Sequence, residues 1–85
     1  MPEVTMYCTE SCPFCQRAER LLRKKGIEPV KIDVDADPQK WDDMERRTGR
    51  DTVPQIFIGD RHVGGFDDLV ELDMDDELDP LLGLE

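Results

Sequence analysis

The chain has 85 residues, of which 38% are hydrophobic and 38% charged, and its formal net charge is −10. This length predicts a single domain over residues 1–85, and no apolar run approaches the roughly 20 residues that cross a bilayer. The first residues lack the pattern of a secretion signal, so we expect a cytoplasmic protein, and the negative charge excludes nucleic acid and an anionic membrane as partners.

The first part of the chain predicts a strand, a helix and a second strand. A short strand is predicted over Glu3–Tyr7, and a helix that begins at Pro13 ends at Lys25 before a glycine stop. The alternation of apolar and charged residues over Pro29–Val34 is typical of a half-buried strand. A strand–helix–strand unit makes its two strands parallel, with a right-handed crossover.

The middle of the chain predicts a helix followed by a hairpin. Asp37-Pro38 begins the helix, and Thr48-Gly49 ends it. Gln55–Ile58 is a third strand and Arg61–Val63 a fourth, joined by a turn. The hairpin adds two antiparallel strands to the predicted sheet.

The last part of the chain predicts helix and carries most of the excess charge. Helical spacing runs from Phe66 to about Met74, and Asp79-Pro80 predicts a final short turn. Residues 66–85 contain nine of the 21 acidic side chains and no Lys or Arg, which is typical of a solvated face; a docking surface for a basic partner and adaptation to high salt are the alternatives. The elements together predict an α/β fold, with a four-stranded mixed sheet and about three flanking helices.

Cys12 and Cys15 stand two residues apart at the start of the predicted first helix, with Pro13 between them. A cysteine at this position faces unpaired backbone N–H groups and the positive end of the helix dipole. Both favour the thiolate, which is the form that attacks disulfides. The pattern predicts a redox active site.

The alternative for such a cysteine pair is half of a zinc site. Cys8, Cys12, Cys15 and His62 could supply four ligands. The helix after Pro13 instead favours exchange between two sulfurs, and His62 has no second ligand near it in sequence, so we expect no metal. Cys8 is expected to be a small buried side chain at a strand end.

Three motifs in order resemble the glutaredoxin family. They are Cys12-Pro13-Phe14-Cys15 after a strand, Thr52-Val53-Pro54 before the hairpin, and Gly64-Gly65-Phe66-Asp67-Asp68 after it. The run from Gly49 to Gly59 is similar to that of small bacterial-type dithiol glutaredoxins. The resemblance covers essentially the whole chain and implies the thioredoxin fold.

The resemblance implies a glutathione-dependent thiol–disulfide oxidoreductase. Cys12 would be the nucleophile and Cys15 the resolving thiol, and we expect Cys12 to be accessible and Cys15 more shielded. Glutathione would be the co-substrate, oxidised or glutathionylated proteins the partners, and the protein a monomer.

The resemblance also implies a glutathione site. A cis bond before Pro54 would present the backbone edge of Val53 to the tripeptide. The backbone N–H groups of Phe66 and Asp67 would bind the γ-glutamyl carboxylate, and the Asp67 carboxylate would bind the α-amino group. Phe14, Thr52 and Gly65 complete the predicted glutathione-binding set.

Some positions depart from the family. Thr9, Trp41 and Asp51 stand where relatives often carry basic or amide side chains that face the glycine carboxylate of glutathione. We therefore predict weaker glutathione binding, with less salt dependence, than in lysine-bearing relatives. Arg17 is a candidate substitute cation, and Phe14 replaces the usual tyrosine.

Two other functions stay open on the sequence. The missing cations would also suit a thioredoxin-like reductant that does not depend on glutathione. An iron–sulfur carrier, in which two chains hold a [2Fe–2S] cluster through Cys12 and glutathione, is disfavoured by Pro13, because cluster-binding relatives usually have a small or flexible residue there.

Overall fold

The computed structural model describes residues 2–84, which contain four strands and four helices. The strands are β1 (Val4–Cys8), β2 (Val30–Asp33), β3 (Gln55–Ile58) and β4 (Arg61–Gly64), and the helices are α1 (Pro13–Lys24), α2 (Pro38–Thr48), α3 (Phe66–Met74) and α4 (Leu78–Leu81). The predicted order of elements is confirmed, although the last helix begins one residue earlier than expected. None of the described helices is long and apolar enough to cross a bilayer.

The strands form one mixed sheet in the order β2-β1-β3-β4. β1 lies parallel to β2, with Thr5 opposite Val30, and antiparallel to β3, with Met6 opposite Ile56. β3 and β4 form the predicted antiparallel hairpin. The predicted four-stranded mixed sheet is therefore confirmed.

Helices cover both faces of the sheet because side chains alternate along β1 and β3. On one face, Met6 and Ile56 pack with α1, α3 and α4; on the other, Tyr7 and Phe57 pack with Met44 of α2. Since α1 and α3 share a face, their first turns lie side by side, and the Phe14 and Phe66 ring centroids are 6.3 Å apart.

The burial expected for β2 is wrong. Val30 is 47% exposed and Lys31 is exposed too, whereas Ile32 is half-buried, so the strand does not alternate as its sequence suggested. β2 is an edge strand, bonded to β1 alone, and its side chains have neighbouring strand side chains on one side only. Val34 is buried, but it lies beyond the end of the strand.

The capping residues predicted for the two ends of α2 are confirmed by its hydrogen bonds. The Asp37 carboxylate accepts a hydrogen bond from the Gln39 N–H at 2.9 Å, which makes Asp37 the predicted N-cap. Gly49 closes the helix with φ 70°, and its N–H donates to the Glu45 carbonyl at 2.8 Å. The predicted bounds of this helix are confirmed.

Part of the acidic C-terminal segment has a structural role. Lys25 Nζ, at the end of α1, lies 2.8 Å from Asp73 of α3 and 2.6 Å from Asp79 of α4. Its side chain is only 18% exposed. One cation therefore joins three helices, and these two carboxylates do more than solvate the surface.

Candidate active site

Cys12 caps the N-terminus of α1, as predicted. It is half-buried, and its Sγ accepts a hydrogen bond from the Cys15 N–H at 3.4 Å. On its other side, the Cys12 thiol donates to the Val53 carbonyl at 3.8 Å. A negative sulfur here would face the first N–H groups of the helix, which is favourable because those groups have no intrahelical partner.

Cys15 is buried, with 3% of its surface exposed. Burial, together with the hydrogen bond between the two cysteine side chains, raises the pKa of the Cys15 thiol to about 12. The expectation that Cys15 is the more shielded sulfur is confirmed. Cys8 is also buried as expected, burial raises the pKa of its thiol, and all three cysteines are free.

The predicted cis bond is present between Val53 and Pro54. Pro54 is buried and Val53 half-buried, and the Val53 carbonyl faces the Cys12 sulfur. Among residues 2–84, no protein group accepts a hydrogen bond from the Val53 N–H. A backbone donor is therefore free next to the reactive sulfur.

Two adjacent carboxylates in the first turn of α3, Asp67 and Asp68, have different surroundings. Asp68 Oδ2 accepts a hydrogen bond from the Gly65 N–H at 2.9 Å, and this bond, with help from Arg50, lowers the pKa of Asp68. Asp67 is exposed. Within the described residues, the N–H groups of Phe66 and Asp67 have no acceptor, as expected of the first positions in a helix.

A shallow pocket of about 230 Å³ lies between the Val53–Pro54 turn and the start of α3. All seven predicted glutathione-binding residues line it: Phe14, Thr52, Val53, Pro54, Gly65, Phe66 and Asp67. The structure therefore brings together three motifs that are distant in sequence, and Cys12 is joined to the same site through its contact with Val53.

The pocket also contains residues that the sequence reasoning missed. Arg50 lies at its rim, and Arg50 Nη1 is 3.1 Å from Asp68 Oδ2. Gln55 is fully buried; its Nε2 donates to the Thr52 carbonyl at 3.0 Å, and its Oε1 lies 2.8 Å from His62 Nε2. Both Arg50 and Gln55 lie in the run from Gly49 to Gly59, which resembles the family. That run was therefore the available sequence signal for these two polar residues.

Several other singled-out residues lie elsewhere. Thr9 lines a different recess, beside Cys15, and Trp41 bonds to Glu45 on α2. The Arg17 guanidinium lies 5.4 Å from the centre of the Phe14 ring. The cysteines and histidine of the zinc alternative do not come together, because residues 2–84 contain no group of three or more potential metal ligands.

Known proteins resemble this chain over most of its length. The family model described as Glutaredoxin matches residues 4–63. Glutaredoxin 3 of Escherichia coli strain K12 is 48% identical over 82 residues, which are 96% of this chain and 99% of that protein.

Solved structures give the same result. The solution structure of a glutaredoxin from Brucella melitensis is 48% identical, with a TM-score of 0.87 over 99% of this chain and 91% of that chain. The crystal structure of a buckwheat glutaredoxin–glutathione complex has a TM-score of 0.90 at 28% identity, over 96% of this chain and 77% of that chain. Fold and dithiol define a thiol–disulfide oxidoreductase of the thioredoxin fold. This chain belongs to the glutaredoxin family.

Proposed function

We propose that this glutaredoxin uses glutathione to reduce glutathionylated proteins and protein disulfides, and that it works as a single-domain, metal-free monomer in the cytoplasm. The observation that carries the proposal is the pocket beside Cys12, which is lined by all seven predicted glutathione-binding residues. The buckwheat relative, which has the same fold, was solved with glutathione.

In the one-cysteine reaction, the Cys12 thiolate attacks the glutathione sulfur of a protein–glutathione mixed disulfide. The protein sulfur leaves as a thiolate and takes a proton, and Cys12 is left in a mixed disulfide with glutathione. A second glutathione thiolate attacks the glutathione sulfur, which forms oxidised glutathione and frees Cys12. The Cys15 N–H at the start of α1, which donates to Cys12 Sγ, stabilises this sulfur as nucleophile and as leaving group.

In the two-cysteine reaction, the Cys12 thiolate attacks one sulfur of a protein disulfide and forms a mixed disulfide with it, while the other protein sulfur leaves as a thiolate and takes a proton. Cys15 then loses its proton and attacks Cys12 Sγ. The bond between Cys12 and the protein sulfur breaks, that sulfur leaves as a thiolate and takes up the proton, and a Cys12–Cys15 disulfide remains. Two electrons pass from the dithiol to the protein. Because burial raises the pKa of its thiol to about 12, Cys15 is not the sulfur that makes the first attack.

The pocket offers complementary groups for a γ-glutamyl tripeptide. The free N–H of Val53 supplies a strand-like edge for the peptide backbone. The open N–H groups of Phe66 and Asp67 suit the α-carboxylate, and the exposed Asp67 carboxylate suits the ammonium beside it. Arg50 adds a cation at the rim, next to Asp68.

Asp67→Asn tests this assignment, with Asp60→Asn as the control. Both aspartates are exposed, but Asp60 lies in the hairpin turn and does not line the pocket. We expect Asp67→Asn to raise the KM for glutathione roughly 10- to 150-fold, as for loss of a hydrogen bond to a charged group, and Asp60→Asn to leave it unchanged. Equal KM values in the two variants would remove the head-group assignment.

The metal-free part of the proposal has its own test. The protein purified with glutathione present should be colourless and should elute at the size of one 9.8 kDa chain. A brown protein of twice that size would support the iron–sulfur carrier instead.

A further inference from the structure

The outer face of α1 carries basic side chains without acidic partners, although the chain as a whole has a net charge of −10. Among residues 2–84, ion pairs engage Arg23, Lys25, Lys31, Arg46 and Arg50. Within the same residues, Arg17, Arg20 and Lys24 form no ion pair. Their spacing of three, four and seven residues places them on one side of the helix.

These three cations border a groove of about 240 Å³ between α1 and α3. Leu21 and Val70, both partly buried, form its apolar lining together with Phe66. Asp73 also lines the groove, but Lys25 Nζ holds its carboxylate at 2.8 Å. The charge presented to a ligand in the groove is therefore positive.

The groove is continuous with the active site. Phe66 lines both the groove and the glutathione pocket. The Phe14 ring lies 6.3 Å from the Phe66 ring and beneath the Arg17 guanidinium. A chain bound in the groove would run directly to the mouth of the pocket.

We propose that this groove binds the segment of an oxidised protein substrate next to its reactive sulfur, and that it selects segments that combine acidic and apolar side chains. The proposal rests on the proposed function, because it names the substrate class of the same site. Arg20 and Lys24 attract the carboxylates, and Leu21 and Val70 contact the apolar groups. The cations of the groove repel a basic segment. Complementary charge therefore selects which protein substrates bind next to the active site.

Two glutathionylated peptides test this, one with acidic and leucine residues around its cysteine and one with lysine in place of the acidic residues. The groove variant is Arg20→Gln/Lys24→Gln. The control is Lys40→Gln/Arg61→Gln, which removes two exposed cations that are also unpaired among residues 2–84 and lie outside the groove. The mixed disulfide of glutathione and 2-mercaptoethanol measures activity without a peptide, and anisotropy of a labelled, cysteine-free acidic peptide measures binding without chemistry.

We expect the groove variant to lose about 2- to 20-fold in kcat/KM on the acidic peptide, from two exposed charge pairs. Its activity on the lysine peptide should not fall, and its activity on the small mixed disulfide should be unchanged. High salt should reduce the wild-type preference. An equal loss on both peptides, an equal loss in the control variant, or no weakening of anisotropy binding would overturn the proposal. A wild type inactive on the small mixed disulfide would refute the proposed function alone, since peptide binding still reports on the groove.

Discussion

At the scale of single residues, the two cysteines differ in their surroundings and should differ in task. Cys12 is partly exposed at a helix start, whereas Cys15 is buried. Cys12→Ser should abolish all activity, because it removes the attacking sulfur. Cys15→Ser should retain reduction of glutathione mixed disulfides and lose reduction of protein disulfides. Assays of both variants on the two substrates check this, and an active Cys12→Ser beside an inactive Cys15→Ser would reverse the assignment.

His62 should make stability depend on pH. Burial, with Arg50 and Arg47 adding to the effect and Asp68 opposing it, lowers the pKa of His62. The unfolded chain then binds more protons than the folded one below the unfolded pKa of about 6.5. The contribution of neutral His62 to the free energy of unfolding is therefore complete above that pH. It is lost as the pH falls towards the lower pKa of His62 in the folded protein.

His62→Gln should remove this dependence. Urea unfolding of wild type and variant at pH values from about 7 to 5 measures it, because the other titrating groups are common to both proteins. The free energy of unfolding should fall more steeply with acidification in the wild type. Parallel curves would contradict the prediction.

Some residues of the pocket could be predicted from the sequence and others could not. The seven residues that the motifs predicted line one pocket, since each motif joins a backbone geometry to its chemistry; their role in binding stays a prediction. Arg50 and the Gln55–His62 pair were not, because their contacts with Asp68 and Thr52 form only in the folded chain. Such side-chain contacts leave no periodic pattern in a sequence.

At the scale of elements, Gly64 joins the hairpin to the start of α3. Its φ is 118°, and an added Cβ would lie 2.8 Å from Asp68 Cγ and 3.1 Å from Arg50 Nη1. Gly64→Ala should therefore destabilise the fold by roughly 1–3 kcal/mol and displace Asp68, which raises the KM for glutathione. Urea unfolding and steady-state kinetics measure the two effects.

Gly49→Ala is the matched control. Gly49 has φ 70° at the end of α2, and an added Cβ would meet nothing within 4 Å. Gly49→Ala should lower the free energy of unfolding by about 1 kcal/mol, from the backbone conformation alone, and should leave the KM for glutathione unchanged. A KM that rises equally in both variants would show that general destabilisation, and not the Asp68 contact, is responsible.

The elements themselves were largely predictable. Caps, proline positions and glycine stops act locally, so the bounds of α2 and the place of Cys12 at the start of α1 followed from the sequence. The exposure of Val30 did not, because the burial of a strand depends on its position in the sheet, and β2 is at the edge.

At the scale of the whole molecule, charge should limit glutathione binding. The chain carries −10, glutathione is itself an anion at neutral pH, and the uncharged Thr9 lies next to the reactive sulfur, since its carbonyl accepts a hydrogen bond from the Cys12 N–H at 3.5 Å. Thr9→Lys should lower the KM for glutathione by about two- to fivefold, as for one exposed charge pair. Kinetics at low and moderate salt check this. The control is Asp60→Asn, which also raises the net charge by one but lies away from the pocket. An equal gain in Asp60→Asn would assign the effect to net charge.

The central claim is that glutathione supplies the electrons. The most direct test follows deglutathionylation of a protein substrate with either glutathione and glutathione reductase, or thioredoxin reductase alone, as the source of reductant. Sustained turnover with glutathione, and little with thioredoxin reductase, is the result that the pocket beside Cys12 predicts. Turnover with thioredoxin reductase alone would contradict it and establish a thioredoxin-like reductant.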